Sequence, residues 1–385
     1  MSKKTGLLAK ASLLSASLVS TGTSAVLGIL PAISEAFPDV PVTAVEAIGM
    51  TPSLFSTASI LLSPVLFRKT GYRKAAVFGF LLCGIFGLLP IFVPLFPVLF
   101  ACRCIYGIGA GLLSSSLMAL IVSCFEGEEK SAMIGYQGSI GAIGSSLLTF
   151  LAGRLALYGW NKAFFVYLTA FLLLPLFVLF SPKEKAGETI RTKEKASSGG
   201  RRMADLLYIA VLQLFAVTIA SVYLIKTSSL VVNDGLGRVS DGALAITIAY
   251  AGCILAGPFY AKTRAKLKAG TLVLGYVLCA LSFVITAKAS SLPVLYFGSL
   301  ILGYGYMTFI PYTTETVSAS FKDLGSIASN TMLLVQAIGG FLCPYFASFL
   351  TLFTKDVHTQ YLIIAGLLLL VNIPALANRY LNEKN

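Results

Sequence analysis

Apolar runs of roughly 20 residues begin near positions 11, 44, 75, 97, 132, 163, 205, 242, 269, 292, 326 and 359. Each is long enough to cross a hydrocarbon layer of about 30 Å at 1.5 Å per helical residue. A backbone in lipid has to hydrogen-bond within its own segment, and these runs lack the alternation of barrel strands, so twelve membrane helices are expected. A soluble alternative fails on composition. Only 12% of the 385 residues are charged, against roughly 25% in soluble domains, and a single soluble core stops growing near roughly 250–300 residues. Lys3 and Lys4 before the first run resemble the n-region of a signal peptide. That run is about 24 residues, beyond the roughly 7–15 of a cleavable h-region, so it is read as span 1.

An even number of spans puts both termini on one side, and the cations choose the side. With the termini inside, the inner segments carry 22 Lys and Arg and the outer segments five, namely Arg154, Lys162, Arg238, Lys288 and Lys355. This excess predicts a multi-pass protein of the cytoplasmic membrane with cytoplasmic termini. It also accounts for most of the net charge of +13, so no nucleic-acid partner is expected. The single histidine, His358, has no second His or nearby Cys to complete a metal set, and no cofactor is expected. The seven cysteines all lie in apolar runs without CxxC spacing and read as small packing residues.

Six spans precede the stretch SPKEKAGETIRTKEKASSGGRR (181–202) and six follow it. Its mixture of Lys, Glu, Gly and Ser suits a flexible cytoplasmic linker. The expected organisation is an N-terminal six-helix bundle (1–180), a linker (181–203) and a C-terminal six-helix bundle (204–385). The halves echo each other. YGIGAG (106–111) has LGYGYM (302–307) at an offset of 196, GAIGSS (141–146) has QAIGGF (336–341) at 195, and Lys69 and Arg73 have Lys262 and Lys266 at 193. A nearly constant offset implies duplicated halves, an arrangement that places a solute site at the repeat interface.

These features resemble the major facilitator superfamily over essentially the whole chain, and in motifs its bacterial drug/proton antiporter-like branch. The family's span 2–3 loop reads Gly-x-x-x-Asp-Arg/Lys-x-Gly-Arg/Lys-Arg/Lys. Alignment on Gly71 puts Lys69 and Arg73 at basic positions, while Pro64, Arg68 and Tyr72 replace the first Gly, the Asp and one basic residue. The fourth-span pattern Arg-x-x-x-Gly-x-Gly is present as Arg103, Gly107 and Gly109. Gly159-Trp160 matches a landmark before span 6, with Asn161 replacing the family's Arg. Span 5 keeps spaced glycines but lacks the Pro of the antiporter pattern. The resemblance implies a gating role for Arg68, Lys69, Gly71 and Arg73, although Arg68 stands where the gating acid belongs; a purely topogenic cluster is the alternative.

Intramembrane charge marks functional candidates. Arg103 falls in the outer half of span 4, where the family motif implies substrate binding or proton transfer; a clamp on span 1 carbonyls is the alternative. Lys226 lies in span 7, near the outer surface, where it either snorkels or faces a cavity. Two cations with no buried acid between them favour an anion. The acids fall outside span centres, and Asp205, Glu46 and Glu315 near helix ends are candidates for carrying a proton or simply solvated carboxylates. Gln137 and Gln336 in spans 5 and 11, with Tyr106 and Tyr250, complete the candidate substrate-binding set. Gly107, Gly109, Gly111, Gly138, Gly141, Gly144, Gly303 and Gly305 set small faces for helix packing.

No phosphate loop or Ser/His/Asp constellation appears, so no enzyme is expected. The reading is a monomeric secondary active transporter of a small organic anion by alternating access, with protons or a counter-anion as the second substrate. Multidrug or metabolite efflux by proton antiport is the alternative. A receptor on a transporter scaffold would need an interaction domain larger than the 22-residue linker.

Overall fold

The computed structural model describes residues 6–182, 200–321 and 326–377. Among the described residues there is no strand, and twelve helices are long and apolar enough to cross a membrane. They are span 1 (Leu7–Ala36), span 2 (Val42–Thr70), span 3 (Tyr72–Phe92), span 4 (Phe96–Cys124), span 5 (Ala132–Tyr158) and span 6 (Trp160–Phe180). Span 7 (Met203–Asn233), span 8 (Val239–Leu267), span 9 (Gly270–Ala287), span 10 (Leu292–Val317), span 11 (Asn330–Leu350) and span 12 (Val357–Ala375) follow. Each begins within four residues of the start read from hydropathy. Large apolar side chains such as Leu62, Phe92, Leu172, Leu179 and Ile373 stand exposed on them, as lipid-facing surfaces require.

The chain divides into two compact units, Met1–Arg191 and Thr192–Asn385. Most of the stretch read as a linker, 183–199, lies outside the described residues. The helix that carries span 7 starts at Gly200, inside that stretch, because Arg201, Arg202, Met203 and Ala204 are all good helix formers.

Within each unit the packing order is the same. In the first, span 4 packs on spans 2 and 3, span 5 on span 1, and span 6 on span 3. In the second, span 10 packs on spans 8 and 9, span 11 on span 7, and span 12 on span 9. Small residues decide where backbones meet. A Cβ on Gly79 would sit 2.8 Å from the Gly109 carbonyl, and a Cβ on Gly275 would approach the Gly305 carbonyl at 3.1 Å; both pairs are related by the offset of 196. Gly144 lies against Leu18 and Thr21 of span 1, as Gly339 lies against Leu214 and Val217 of span 7. Glycine lets these helices approach closely enough for dispersion to hold them where lipid supplies no hydrophobic drive. Gly138 departs from the packing expected of it: a Cβ there would meet nothing within 4 Å.

Span 6 of the first unit begins as a 3₁₀-helix over Trp160–Tyr167, and span 1 changes helix type in its middle. Span 1 is an α-helix over Leu7–Ser20, a 3₁₀-helix over Thr21–Ile29 and an α-helix again over Leu30–Ala36. Thr21, Gly22, Thr23 and Val26 are all poor α-helix formers, and mid-helix 3₁₀ often marks a hinge.

Candidate functional site

The polar side chains of the first unit converge on that 3₁₀ segment. Arg103 of span 4 is 1% exposed, and its guanidinium donates in three directions. Nη2 reaches the Thr23 carbonyl at 2.6 Å, Nη1 the Tyr167 hydroxyl at 2.7 Å, and Nε the Ile48 carbonyl at 3.3 Å. Tyr167 of span 6 passes its own proton to the Gly22 carbonyl at 3.0 Å. The Tyr106 hydroxyl donates to the Val19 carbonyl at 2.9 Å, and the Ser145 hydroxyl to the Thr21 carbonyl at 3.4 Å. Four span 1 carbonyls thus receive donors from spans 4, 5 and 6. In a bilayer, irregular backbone persists only where protein groups supply its partners. The guanidinium also lies 5.4 Å from the Tyr106 ring centroid, within cation–π range.

The contact with Ile48 follows from sequence chemistry. A helical carbonyl at 48 looks to the N–H of residue 52, and residue 52 is a proline inside the span 2 helix, which has no N–H to give. Arg103 supplies that donor. One turn further along span 4, a Cβ on Gly107 would lie 2.5 Å from the Pro52 carbonyl oxygen. The Arg-x-x-x-Gly pattern therefore docks span 4 on the proline site: the Gly admits the backbone and the Arg satisfies the freed carbonyl. Gly22 serves likewise on span 1, where a Cβ would stand 2.5 Å from the Tyr106 hydroxyl.

The second unit holds an equivalent knot of different chemistry. Ser299 stands 196 residues after Arg103, and Tyr361 stands 194 after Tyr167. The Tyr223 hydroxyl of span 7 meets Thr286 at 2.9 Å and Ser299 at 3.0 Å, while Tyr361 meets the Thr227 hydroxyl at 3.2 Å. Tyr223 and Tyr361 stack at 5.9 Å. Span 7 is α-helical throughout, so here hydroxyls bond to one another and no cation is needed. Sequence reasoning missed Tyr167, Tyr223 and Tyr361; the repeat offset between Tyr167 and Tyr361 was the available signal.

The remaining candidates fall in separate places. Arg103 and Tyr106, read as substrate-binding, direct their polar atoms at spans 1, 2 and 6, because Pro52 leaves the Ile48 carbonyl without its helical donor and the poorer i→i+3 bonds of the 3₁₀ segment leave its carbonyls open to a further one. Gln137 is half-buried beside a cavity in the first unit. Lys226 and Tyr250 are half-buried in spans 7 and 8. Gln336 donates to the Thr314 hydroxyl at 3.3 Å, joining span 11 to span 10. Gly71, at φ 76°, ends span 2 in a conformation suited to glycine. Arg73 reaches the end of span 6, donating through Nε to the Ser181 hydroxyl at 2.8 Å and through Nη2 to the Val178 carbonyl. Arg68 and Lys69 are exposed.

Glu46 corrects the expectation of a solvated carboxylate near a helix end: it is 3% exposed, because the first turns of span 2 pack against span 1. Glu315 is exposed and tied to span 8. It accepts from the Tyr260 hydroxyl at 2.9 Å and lies 3.7 Å from Arg264 Nε, while the Arg264 guanidinium sits 4.5 Å from the Tyr312 ring centroid.

The sequence model of the Major Facilitator Superfamily matches residues 12–344. The chain belongs to the major facilitator superfamily. A crystal structure of the peptide transporter POT, a mutant form in complex with alafosfalin, superposes on this superfamily member with a TM-score of 0.75. The likeness covers 97% of this chain and 95% of that one at 14% identity, a level that establishes the shared fold. No curated protein sequence matches the chain. As a superfamily member with twelve membrane-length helices, the protein is a multi-pass membrane transporter.

Proposed function

We propose that this superfamily member is a monomeric secondary active transporter of the cytoplasmic membrane, with both termini in the cytoplasm, that moves a small organic anion by alternating access of its two halves, residues 1–180 and 204–385, joined by a tether at 181–203. The orientation rests on the 22-to-five division of cations between the two sets of loops. The observation that supports anionic cargo is Lys226, an ammonium group half-buried within span 7. Arg103 serves the anion only indirectly in this reading, by holding span 1. Uptake of radiolabelled carboxylates into vesicles tests the proposal. Transport that falls at least tenfold in Lys226→Gln and persists in Lys226→Arg supports it, and transport indifferent to both substitutions removes it.

One observation favours a second reading, efflux of drugs or metabolites by proton antiport. The buried Glu46 carboxylate is a candidate proton carrier, since intramembrane acids commonly serve proton relays. Drug sensitivity in an efflux-deficient bacterium separates the readings. Broad resistance that requires a pH gradient and is lost in Glu46→Gln favours antiport.

A further inference from the structure

The first unit contains a cavity of about 430 Å³ bounded by spans 1, 4 and 5, within the roughly 300–1,000 Å³ typical of small-molecule sites. Its polar lining is Ser17, Ser20 and Thr21 from span 1, Ser114 from span 4, and Gln137 and Ser145 from span 5. Among the described residues, none that lines it carries a formal charge.

Most hydroxyls on span 1 fold back onto the preceding turn, the usual way for Ser and Thr to satisfy themselves in a helix. Ser12 bonds the Ala9 carbonyl at 2.8 Å, Ser15 that of Ser12 at 2.7 Å, Ser20 that of Ser17 at 3.1 Å, and Ser24 that of Thr21 at 3.2 Å. Ser17 does not. It is 2% exposed, and its Oγ has no hydrogen-bond partner among the described residues. Across the cavity, the buried Oε1 of Gln137 is likewise without a partner among them. Gly138 and Gly141 leave span 5 without side chains beside it. Ser17 and Gln137 both line this space of molecular size, and each holds an unpaired polar atom buried in its wall; buried polar groups are otherwise paired, so a side-chain rotation that turns the two atoms inward makes a hydrogen-bonding site.

The ligand chemistry follows. With no cation in its lining, the cavity offers a carboxylate no charge to pair with. The Gln137 amide oxygen accepts, and the Ser17 hydroxyl both donates and accepts. An alcohol matches both, since its O–H donates to the amide while its oxygen accepts from the serine. The second unit repeats the signature: Gln213, 196 residues after Ser17, is 1% exposed, and neither polar atom of its amide has a partner among the described residues.

We infer that the cavity bounded by spans 1, 4 and 5 is a subsite for the hydroxylated carbon skeleton of the cargo, held by Ser17 and Gln137. As a statement about cargo this rests on the transport reading above, in which Lys226 supplies the charge; the subsite stands on Ser17 and Gln137.

Thermal stability of the purified protein in detergent, titrated with matched probes, tests the inference. The pairs are gluconate with hexanoate and quinate with cyclohexanecarboxylate, and sorbitol serves as the uncharged polyol. At least one hydroxylated probe is expected to raise Tm with at least tenfold better apparent Kd than its deoxygenated partner, or, for sorbitol, than hexanoate. Ser17→Ala and Gln137→Leu should each weaken that probe at least tenfold. Both variants should keep the ligand-free Tm at or above wild type, since each loses an unpaired buried polar atom. A response to sorbitol alone, abolished in both variants, supports the subsite and removes the anion reading. Equal response to both members of every pair without one to sorbitol, binding that survives both substitutions, or no response to any hydroxylated probe overturns the subsite. Carboxylate uptake that depends on Lys226 but is insensitive to Ser17→Ala and Gln137→Leu overturns it while leaving the anion reading intact.

Discussion

Replacing Arg103 with leucine separates a residue that holds the fold from one that holds the cargo. The substitution leaves the Thr23 and Ile48 carbonyls without the donors that reach them at 2.6 and 3.3 Å. Each stranded buried acceptor costs about 1–3 kcal/mol. Tyr167 keeps a role, because its hydroxyl still donates to the Gly22 carbonyl. The expected loss is therefore about 2–6 kcal/mol, offset in part because no guanidinium is then held away from water. Arg103→Lys retains the charge, but a single ammonium on a shorter arm does not reproduce the planar three-way fork, so an intermediate loss of about 1.5–3 kcal/mol, one charged hydrogen bond, is expected. Denaturant-induced unfolding of the purified protein in detergent, followed by circular dichroism, measures both. Arg103→Leu within about 0.5 kcal/mol of wild type, the ordinary scatter of substitutions away from such features, together with a tenfold loss of anion binding, would refute the clamp and return Arg103 to the cargo.

Pro52→Ala supplies the missing N–H to Ile48, so Arg103→Leu should be less costly in that background; a double-mutant cycle is expected to show coupling of about 1 kcal/mol or more, and strict additivity would count against the link. Gly107→Val places a branched side chain where even a Cβ lies 2.5 Å from the Pro52 oxygen, and a penalty of at least about 1–3 kcal/mol from overpacking should appear as reduced folded yield on size-exclusion chromatography; a wild-type yield and stability would contradict this helix contact. Tyr361→Phe removes the contact with Thr227 and should lower stability by about 0.5–1.5 kcal/mol in the same unfolding measurement. Before span 12, hydrogen bonds from the Thr359 hydroxyl and backbone amide hold the Asp356 carboxyl below its usual range. A depressed folded-state value stabilises above the unfolded value near about 3.9 and that contribution is lost as pH falls through the folded one, so Asp356→Ala should lower stability at neutral pH, flatten the profile below about pH 4 and converge with wild type in acid.

The candidate residues show unevenly what a sequence discloses. Arg103 was conspicuous as an intramembrane charge, and the clamp was one of two roles open to it. Its engagement with Ile48 depended on Pro52, far away in sequence, and became apparent only when spans 2 and 4 stood side by side. Tyr167 and Tyr361 were two aromatics among many until the equivalence of spans 6 and 12 was visible in their contacts. Glu46 read either as a proton carrier or as a solvated end residue, because hydropathy registers depth along a helix and not the face that points inward. Ser17 carried no signal: Ser12, Ser15, Ser20 and Thr21 flank it on span 1, and only the pattern of back-bonding distinguishes it.

Consecutive residues were enough to set the number of membrane crossings, the start of each to within four residues, the duplication and the family. Those properties depend on hydrophobic length and local backbone satisfaction, which are written in consecutive residues. It took the packed chain to show that span 1 tightens into a 3₁₀-helix at Thr21, that a cation is used up by carbonyls of two neighbouring helices, and that Ser17 and Gln137 line one cavity. The physical reason is that a buried polar group is satisfied or stranded by whatever packs against it, and those neighbours come from distant parts of the chain.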